Sequence, residues 1–133
     1  MKTANINLPR ILKVGGGVSH ELPEVLAALD LHNPLLVTDP FMDKCGYLER
    51  LRVDLEAKEI LYGVFKDCIP DPTTDSVSSA LSQFRDNDHD GVIALGGGSS
   101  LDTAKAVAVL AFRDGPMRNY KVPYQIDTGL PII

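Results

Sequence analysis

Three consecutive glycines, Gly96, Gly97 and Gly98, stand between the apolar run Val92-Ile93-Ala94-Leu95 and the small residues that open Ser99-Ser100-Leu101-Asp102-Thr103-Ala104-Lys105. Residues of these types in this order suit the binding of an anion. Glycine tolerates positive φ and has no Cβ, so the backbone through Gly96–Gly98 is able to come close to a phosphate and aim its N–H groups at it. The stretch reads strand, tight loop, helix, with the helix starting near Ser99 or Ser100. Its first turn would offer free N–H groups and the positive end of the helix dipole to the same anion. A diphosphate would thus be held largely by backbone. Asp102 falls in the expected first turn, and Lys105 follows three residues later on the same helix face. Two readings stay open for that pair: a surface ion pair, or one or both side chains turned toward the ligand.

The loop fits neither of two familiar phosphate signatures. Gly98 is followed by Ser99-Ser100 where a P-loop needs Lys-Ser/Thr, and Gly96-x-Gly98 lacks the third glycine of G-x-G-x-x-G. A second candidate is Asp39. It ends the apolar run Pro34-Leu35-Leu36-Val37-Thr38, which has the pattern of a strand buried on both faces of a parallel sheet. Open α/β sheets bind ligands at the carboxyl ends of their strands, and an acidic residue about 20 positions beyond a first glycine turn accepts hydrogen bonds from an adenosine ribose. Asp39 stands at about that distance from Gly15-Gly16-Gly17. Such a carboxylate would repel a 2′-phosphate and favour NAD over NADP. The competing reading is a helix-cap or turn aspartate before Pro40.

The elements that must position these residues alternate along the chain. Arg10–Val14 reads as a short strand leading into Gly15–Gly17, which is either a plain turn or a second glycine loop beside the nucleotide. The next helix has Ser19 as a candidate cap and an apolar stripe of Leu22, Val25, Leu26 and Leu29. Phe41 to Lys58 reads as one helix with Leu48, Leu51, Val53 and Leu55 inward, and Glu59–Phe65 as a further strand. Pro70 and Pro72 force an extended loop. Thr73 or Thr74 then caps a helix carrying Val77, Ala80, Leu81 and Phe84 inward and ending before Asn87. After the central strand, loop and helix, Arg113-Asp114-Gly115-Pro116 is a stop signal. A polar stretch runs on to Asp127-Thr128-Gly129, and Leu130-Pro131-Ile132-Ile133 reads as the start of one more strand. The expected fold is α/β, Rossmann-like and doubly wound, with a largely parallel sheet in a single domain over residues 1–133.

Gly96-Gly97-Gly98-Ser99-x-x-Asp102-x-Ala104-Lys105 matches every fixed position of the GGGS-x-x-D-x-A-K pattern, and in this the chain resembles the iron-containing (group III) alcohol dehydrogenases. Val37-Thr38-Asp39, the Phe65-x-x-x-x-Pro70-x-Pro72-Thr73 arrangement and the closing Leu-Pro-Ile-Ile extend the resemblance over essentially the whole chain. It implies NAD as cofactor and a small alcohol, aldehyde or ketone as substrate. It implies roles at the cofactor for Gly96, Gly97, Gly98, Ser99, Ser100 and Asp102 at the diphosphate and for Asp39 at the adenosine ribose. Asp71, between the two prolines, stands where relatives carry Asn near the cofactor. The family's iron is held by an Asp and three His of a helical domain that has no counterpart in these residues. The chain is therefore expected to bind nucleotide and not to be catalytically complete alone. Ser99 leans toward the iron group; glycerol dehydrogenases of the same superfamily, which use zinc, typically carry Lys there. A non-catalytic nucleotide-binding module is the alternative of another class.

Composition narrows the field further. The 133 residues are 44% hydrophobic, enough for one core, and a net charge of −5 with scattered basic residues argues against a nucleic-acid surface. No signal-peptide pattern is present, and no apolar run nears the ~20 residues of a membrane span, so a cytoplasmic protein is expected. Cys45 and Cys68, far apart, read as reduced thiols, and His20, His32 and His89 lack metal-ligand spacing. The apolar ending predicts an unpaired sheet edge and association in isolation, and the family is often dimeric or larger, which makes a homo-oligomer an expectation.

Overall fold

The computed structural model describes residues 9–120 and 129–133. The part of the polar stretch from residue 121 through Asp127 and Thr128 lies outside the described residues. The elements run α1 (Leu22–Ala28), β1 (Leu35–Thr38), α2 (Pro40–Lys44), α3 (Tyr47–Ala57), β2 (Gly63–Phe65), α4 (Thr74–Asp86), β3 (Val92–Leu95) and α5 (Gly98–Leu110), with 3-10 turns at Val18–Glu21 and Met117–Tyr120.

The three strands form a parallel sheet in the order β2-β1-β3. Successive side chains of a strand point to opposite faces, and the core divides accordingly. Leu35, Val37 and Val92 pack with Phe65, Ala80, Phe84, Ala104, Val107 and Ala108 on the face covered by α4 and α5. Leu36 and Ile93 pack with Leu22, Leu26, Leu48, Leu51 and Leu55 on the face covered by α1 and α3. This is the doubly wound arrangement. All four residues of β1 are fully buried, as the unbroken apolar run requires. Each such aliphatic side chain contributes about 1.5–3 kcal/mol of burial free energy.

Leu130–Ile133 does join the sheet. Val92 N–H donates to Pro131 O (3.1 Å), Ala94 N–H to Ile133 O (2.7 Å) and Ile133 N–H to Val92 O (2.9 Å), a parallel pairing along the outer edge of β3. The outer edge of β3 is thus covered by the chain's own last residues. Among the described residues, no helix is long and apolar enough to cross a membrane.

Four expectations are corrected. Residues 10–14 form no strand; their alternation is weak, and Leu12 and Val14 stay exposed. Ser19 caps nothing, because the chain first winds a 3-10 turn from Gly17 (φ 79°) and α1 begins only at Leu22, with Pro23 tolerated in its first turn. The helix expected over 41–58 is two: α2 ends at Lys44, and Gly46, in the left-handed region at φ 79°, starts α3 in a new direction, leaving Val53 exposed. The strand expected from Glu59 shrinks to Gly63–Phe65, because Glu59 itself has φ 54° and closes α3.

That closure recurs. After α1, α3 and α4 the chain makes the same paired hydrogen bonds: Asp30 N–H to Ala27 O with Leu31 N–H to Leu26 O, Glu59 N–H to Glu56 O with Ile60 N–H to Leu55 O, and Asp88 N–H to Arg85 O with His89 N–H to Phe84 O. These are Schellman closures, with left-handed Asp30, Glu59 and Asp88 where glycine is usual. Each turns the chain back toward the amino end of the next strand. The carboxyl end of α5 is closed by the Arg85 guanidinium, which donates to Leu110 O (2.7 Å), Ala111 O (3.2 Å) and Arg113 O (2.9 Å).

Candidate functional site

Because the strands are parallel, β1, β2 and β3 all deliver the chain to one end of the sheet, and each is followed there by a helix N-terminus whose first N–H groups lack intrahelical partners. Two of the three are capped by side chains. Asp39 Oδ1 accepts from Phe41 N–H (2.9 Å) and Met42 N–H (3.0 Å) at the start of α2. Thr73 Oγ1 accepts from Ser76 N–H (3.2 Å) at the start of α4. The third, α5 after β3, has Gly97 at its cap position and no side-chain cap.

The three glycines do different work. Gly96 has φ 143°, and a Cβ there would lie 2.6 Å from Ser100 Oγ and 2.8 Å from Asp39 Oδ2. It is the slot in which the end of β1 meets the start of α5. Gly97 and Gly98 have nothing within 4 Å of where a Cβ would sit. Packing does not require glycine at either place, and the bare backbone faces open space beside the uncapped helix end.

Asp39 is brought to this loop from 57 residues upstream of Gly96 in sequence, because Thr38 pairs with Leu95 in the sheet and Thr38 Oγ1 donates to Leu95 O (2.8 Å). Its second oxygen accepts from Ser100 Oγ (3.2 Å). Asp39 is therefore a helix cap, as one of its two sequence readings held, and at the same time a half-buried carboxylate beside the glycine loop. In the order β2-β1-β3 the chain leaves β1 to one side and then to the other, so β1 and β3 flank the topological switch point where such sheets open a crevice at their carboxyl ends. Asp39 and Gly96 are the first residues beyond those two strands.

The remaining candidates are placed less centrally. Ser99 is the second residue of α5 and half-buried; Ser100 is the third and fully buried, its hydroxyl turned inward to Asp39. Asp102 is not in the first turn, since α5 starts one to two residues earlier than expected. It lies one turn on, exposed, and pairs with Lys105 Nζ at 3.3 Å, the surface reading of the two. Asp71 is exposed on the loop between β2 and α4, with its backbone in the left-handed region at φ 51°. Gly15–Gly17 leads into the 3-10 turn before α1.

Sequence reasoning missed what lies under the loop. Cys68, read only as a reduced thiol, is buried there in hydrogen-bonding contact with the Thr103 and Ser100 hydroxyls. Burial pushes its thiol pKa up, and the nearby Asp39 and Asp67 add to the shift against those hydrogen bonds. Thr103 Oγ1 donates in turn to Ser99 O (2.9 Å). The signal available was two hydroxyl residues, Ser100 and Thr103, three apart on a helix that is otherwise apolar on its inner face.

A profile of the family described as iron-containing alcohol dehydrogenase matches residues 9–133. The chain belongs to the iron-containing alcohol dehydrogenase family. It is 34% identical over 120 residues to long-chain-alcohol dehydrogenase 1 of Geobacillus thermodenitrificans, covering 90% of this chain and 30% of that protein. The solved structure of sulfoacetaldehyde reductase from Bifidobacterium kashiwanohense, in complex with NAD+, superposes with a TM-score of 0.78 at 29% identity, over 89% of this chain and 31% of that one. Alcohol dehydrogenase from Oenococcus oeni shares the fold at a TM-score of 0.89 and 22% identity, over 98% of this chain and 35% of that one. The chain thus spans about a third of the length of the relatives it matches.

Iron and NAD fare differently against the residues of this family member. Among the described residues, no group of three or more His, Cys, Asp or Glu side chains could hold a metal ion. The described donors do not fit iron. A dinucleotide does fit: an uncapped helix N-terminus, two glycines facing open space and a carboxylate at the switch point are present together.

Proposed function

We propose that this chain is the nucleotide-binding portion of an NAD-dependent oxidoreductase that interconverts an alcohol with its aldehyde or ketone. The observation that carries the reading is the uncapped start of α5, with Gly97 and Gly98 bare toward open space, at the switch point beside Asp39. When bound, NAD supplies the hydride acceptor for alcohol oxidation.

The residues of this chain do the holding. The backbone N–H groups of Gly97, Gly98, Ser99 and Ser100 converge where α5 begins and stabilise the diphosphate, with the helix dipole adding to them. Asp39 accepts from an adenosine ribose hydroxyl with the remaining lone pair of Oδ2, since a carboxylate has about four acceptor sites and Phe41 N–H, Met42 N–H and Ser100 Oγ take three. Its negative charge disfavours a 2′-phosphate. NAD-complexed sulfoacetaldehyde reductase, similar over this same portion, supports the choice of cofactor. On this reading the chain binds nucleotide and, by itself, turns over no alcohol, because alcohol oxidation needs a group to stabilise the alkoxide and these residues are not arranged to supply one.

Calorimetric titration of the 133-residue chain with NAD tests the proposal, beside Gly97→Val and Asp39→Ala and with NADP as comparison. Saturable binding that both substitutions weaken, with NADP poorer, is expected. A folded chain that takes up no NAD at millimolar concentration overturns it.

A further inference from the structure

The Ser100 hydroxyl is buried, and it donates to the one oxygen of Asp39 that the α2 cap does not use. We propose that Ser100 is a positioning residue that pins the Asp39 carboxylate in the orientation that selects a ribose with a free 2′-hydroxyl over a 2′-phosphate. The inference rests on the nucleotide reading above and adds to it a residue whose side chain acts through another rather than on the ligand.

The hydrogen bonds around Asp39 divide between its two oxygens. Oδ1 takes Phe41 N–H and Met42 N–H, both on the chain that follows Asp39. These hold the carboxylate at one corner and leave it free to swing about that corner. Oδ2 takes Ser100 Oγ from the start of α5. That contact fixes the second corner and hence the plane.

Two features show that the contact is built. Gly96 has no Cβ where one would strike both Ser100 Oγ and Asp39 Oδ2. Cys68, packed beneath, is in hydrogen-bonding contact with the Ser100 hydroxyl. Its buried side chain fills the space below Ser100 and Thr103 and keeps the Ser100 side chain in place. Thr103, the other hydroxyl at that spot, has its proton committed to Ser99 O. The hydroxyl that pins the carboxylate is therefore itself packed from below.

A swinging carboxylate loses its fixed geometry toward the ribose hydroxyls and is free to turn away from a 2′-phosphate. Removal of the pin should therefore cost NAD and spare NADP. The test is calorimetry on the 133-residue chain, wild type, Ser100→Ala, Ser100→Thr, Asp39→Asn and the Asp39→Asn/Ser100→Ala double variant, each with NAD and with NADP.

Ser100→Ala is expected to weaken NAD about three- to tenfold, the range for a hydrogen bond to a charged group that water partly replaces, with NADP changed less than about twofold. Ser100→Thr, which keeps the hydroxyl, should restore the preference. In the Asp39→Asn background, Ser100→Ala should leave the NAD-to-NADP ratio where it was. If Ser100→Ala fails to fold, Ser100→Cys, close in size and a weak donor, is expected to show the same selective loss. Equal weakening of both nucleotides would place the hydroxyl on the diphosphate and overturn the proposal, as would an unchanged ratio. A wild-type chain that binds neither nucleotide overturns the nucleotide reading and this inference together, whereas a wild-type chain that binds NAD beside an indifferent Ser100→Ala overturns the inference alone.

Discussion

The two ends of the sheet are built on opposite principles. At the amino end, the helices before β1, β2 and β3 close with the same pair of hydrogen bonds and the same left-handed residue. The Asp90 carboxylate then ties β3 to β1 by accepting from the backbone N–H groups of His32 and Asn33. At the carboxyl end the three corners differ: an aspartate cap, a threonine cap after a proline-bearing loop, and a glycine run with no side-chain cap. Repetition marks the end where only chain reversal is needed. At the end where they differ, one set of backbone donors is left without a side-chain cap.

Substitutions break or sharpen this contrast, in decreasing order of their effect on stability. Gly96→Ala should cost the most, about 1–3 kcal/mol by urea unfolding, because φ 143° disfavours any side chain and the methyl would press on Asp39 and Ser100. It should also abolish the difference between NAD and NADP. Thr73→Ala should lower stability by about 1 kcal/mol through the lost cap of α4 and leave NAD affinity within twofold by calorimetry. Glu59→Gly should raise stability by about 1 kcal/mol, and Asp30→Gly and Asp88→Gly by somewhat less since aspartate tolerates the left-handed region better. All three should leave nucleotide binding unchanged, as amino-end changes must if the two ends are independent. Gly98→Ala should change stability least, by a few tenths of a kcal/mol upward, alanine being the better helix former in open space. It should nonetheless weaken NAD about tenfold or more, the size of one lost charge-assisted contact. Loss of fold in Gly98→Ala, or unimpaired binding, would erase the distinction between the ends.

The sequence was most informative where one physical demand acts alone. Burial on both faces wrote β1 as an unbroken apolar run, and the Thr73 cap and the end of α4 before Asn87 follow from local chemistry. It was least informative where two signals overlapped. The apolar stripe of Leu48, Leu51 and Leu55 masked the break at Gly46, and the apolar residues after Glu59 hid that Glu59 closes the preceding helix. In the candidate site, the placement of Asp39 and Gly96–Gly98 was legible because strand ends and tight loops have local signatures. The inward turn of Ser100 and the burial of Cys68 beneath it were not, because both depend on which strand lies beside which, and residues 61 apart meet only once the order β2-β1-β3 is known.

That order also has a consequence in time. β1 is the first of the described strands and lies between the other two, so one of its edges is completed by β2 after one crossover and the other only when β3 arrives after the next. Until then its β3-facing edge is bare, an opportunity for mispairing between chains. The contact of Asp39 with Gly96 and Ser100 does not exist before that late pairing. A nucleotide bound there should act as a latch on the finished sheet, slowing its unfolding in a chevron experiment while leaving the folding limb where it was.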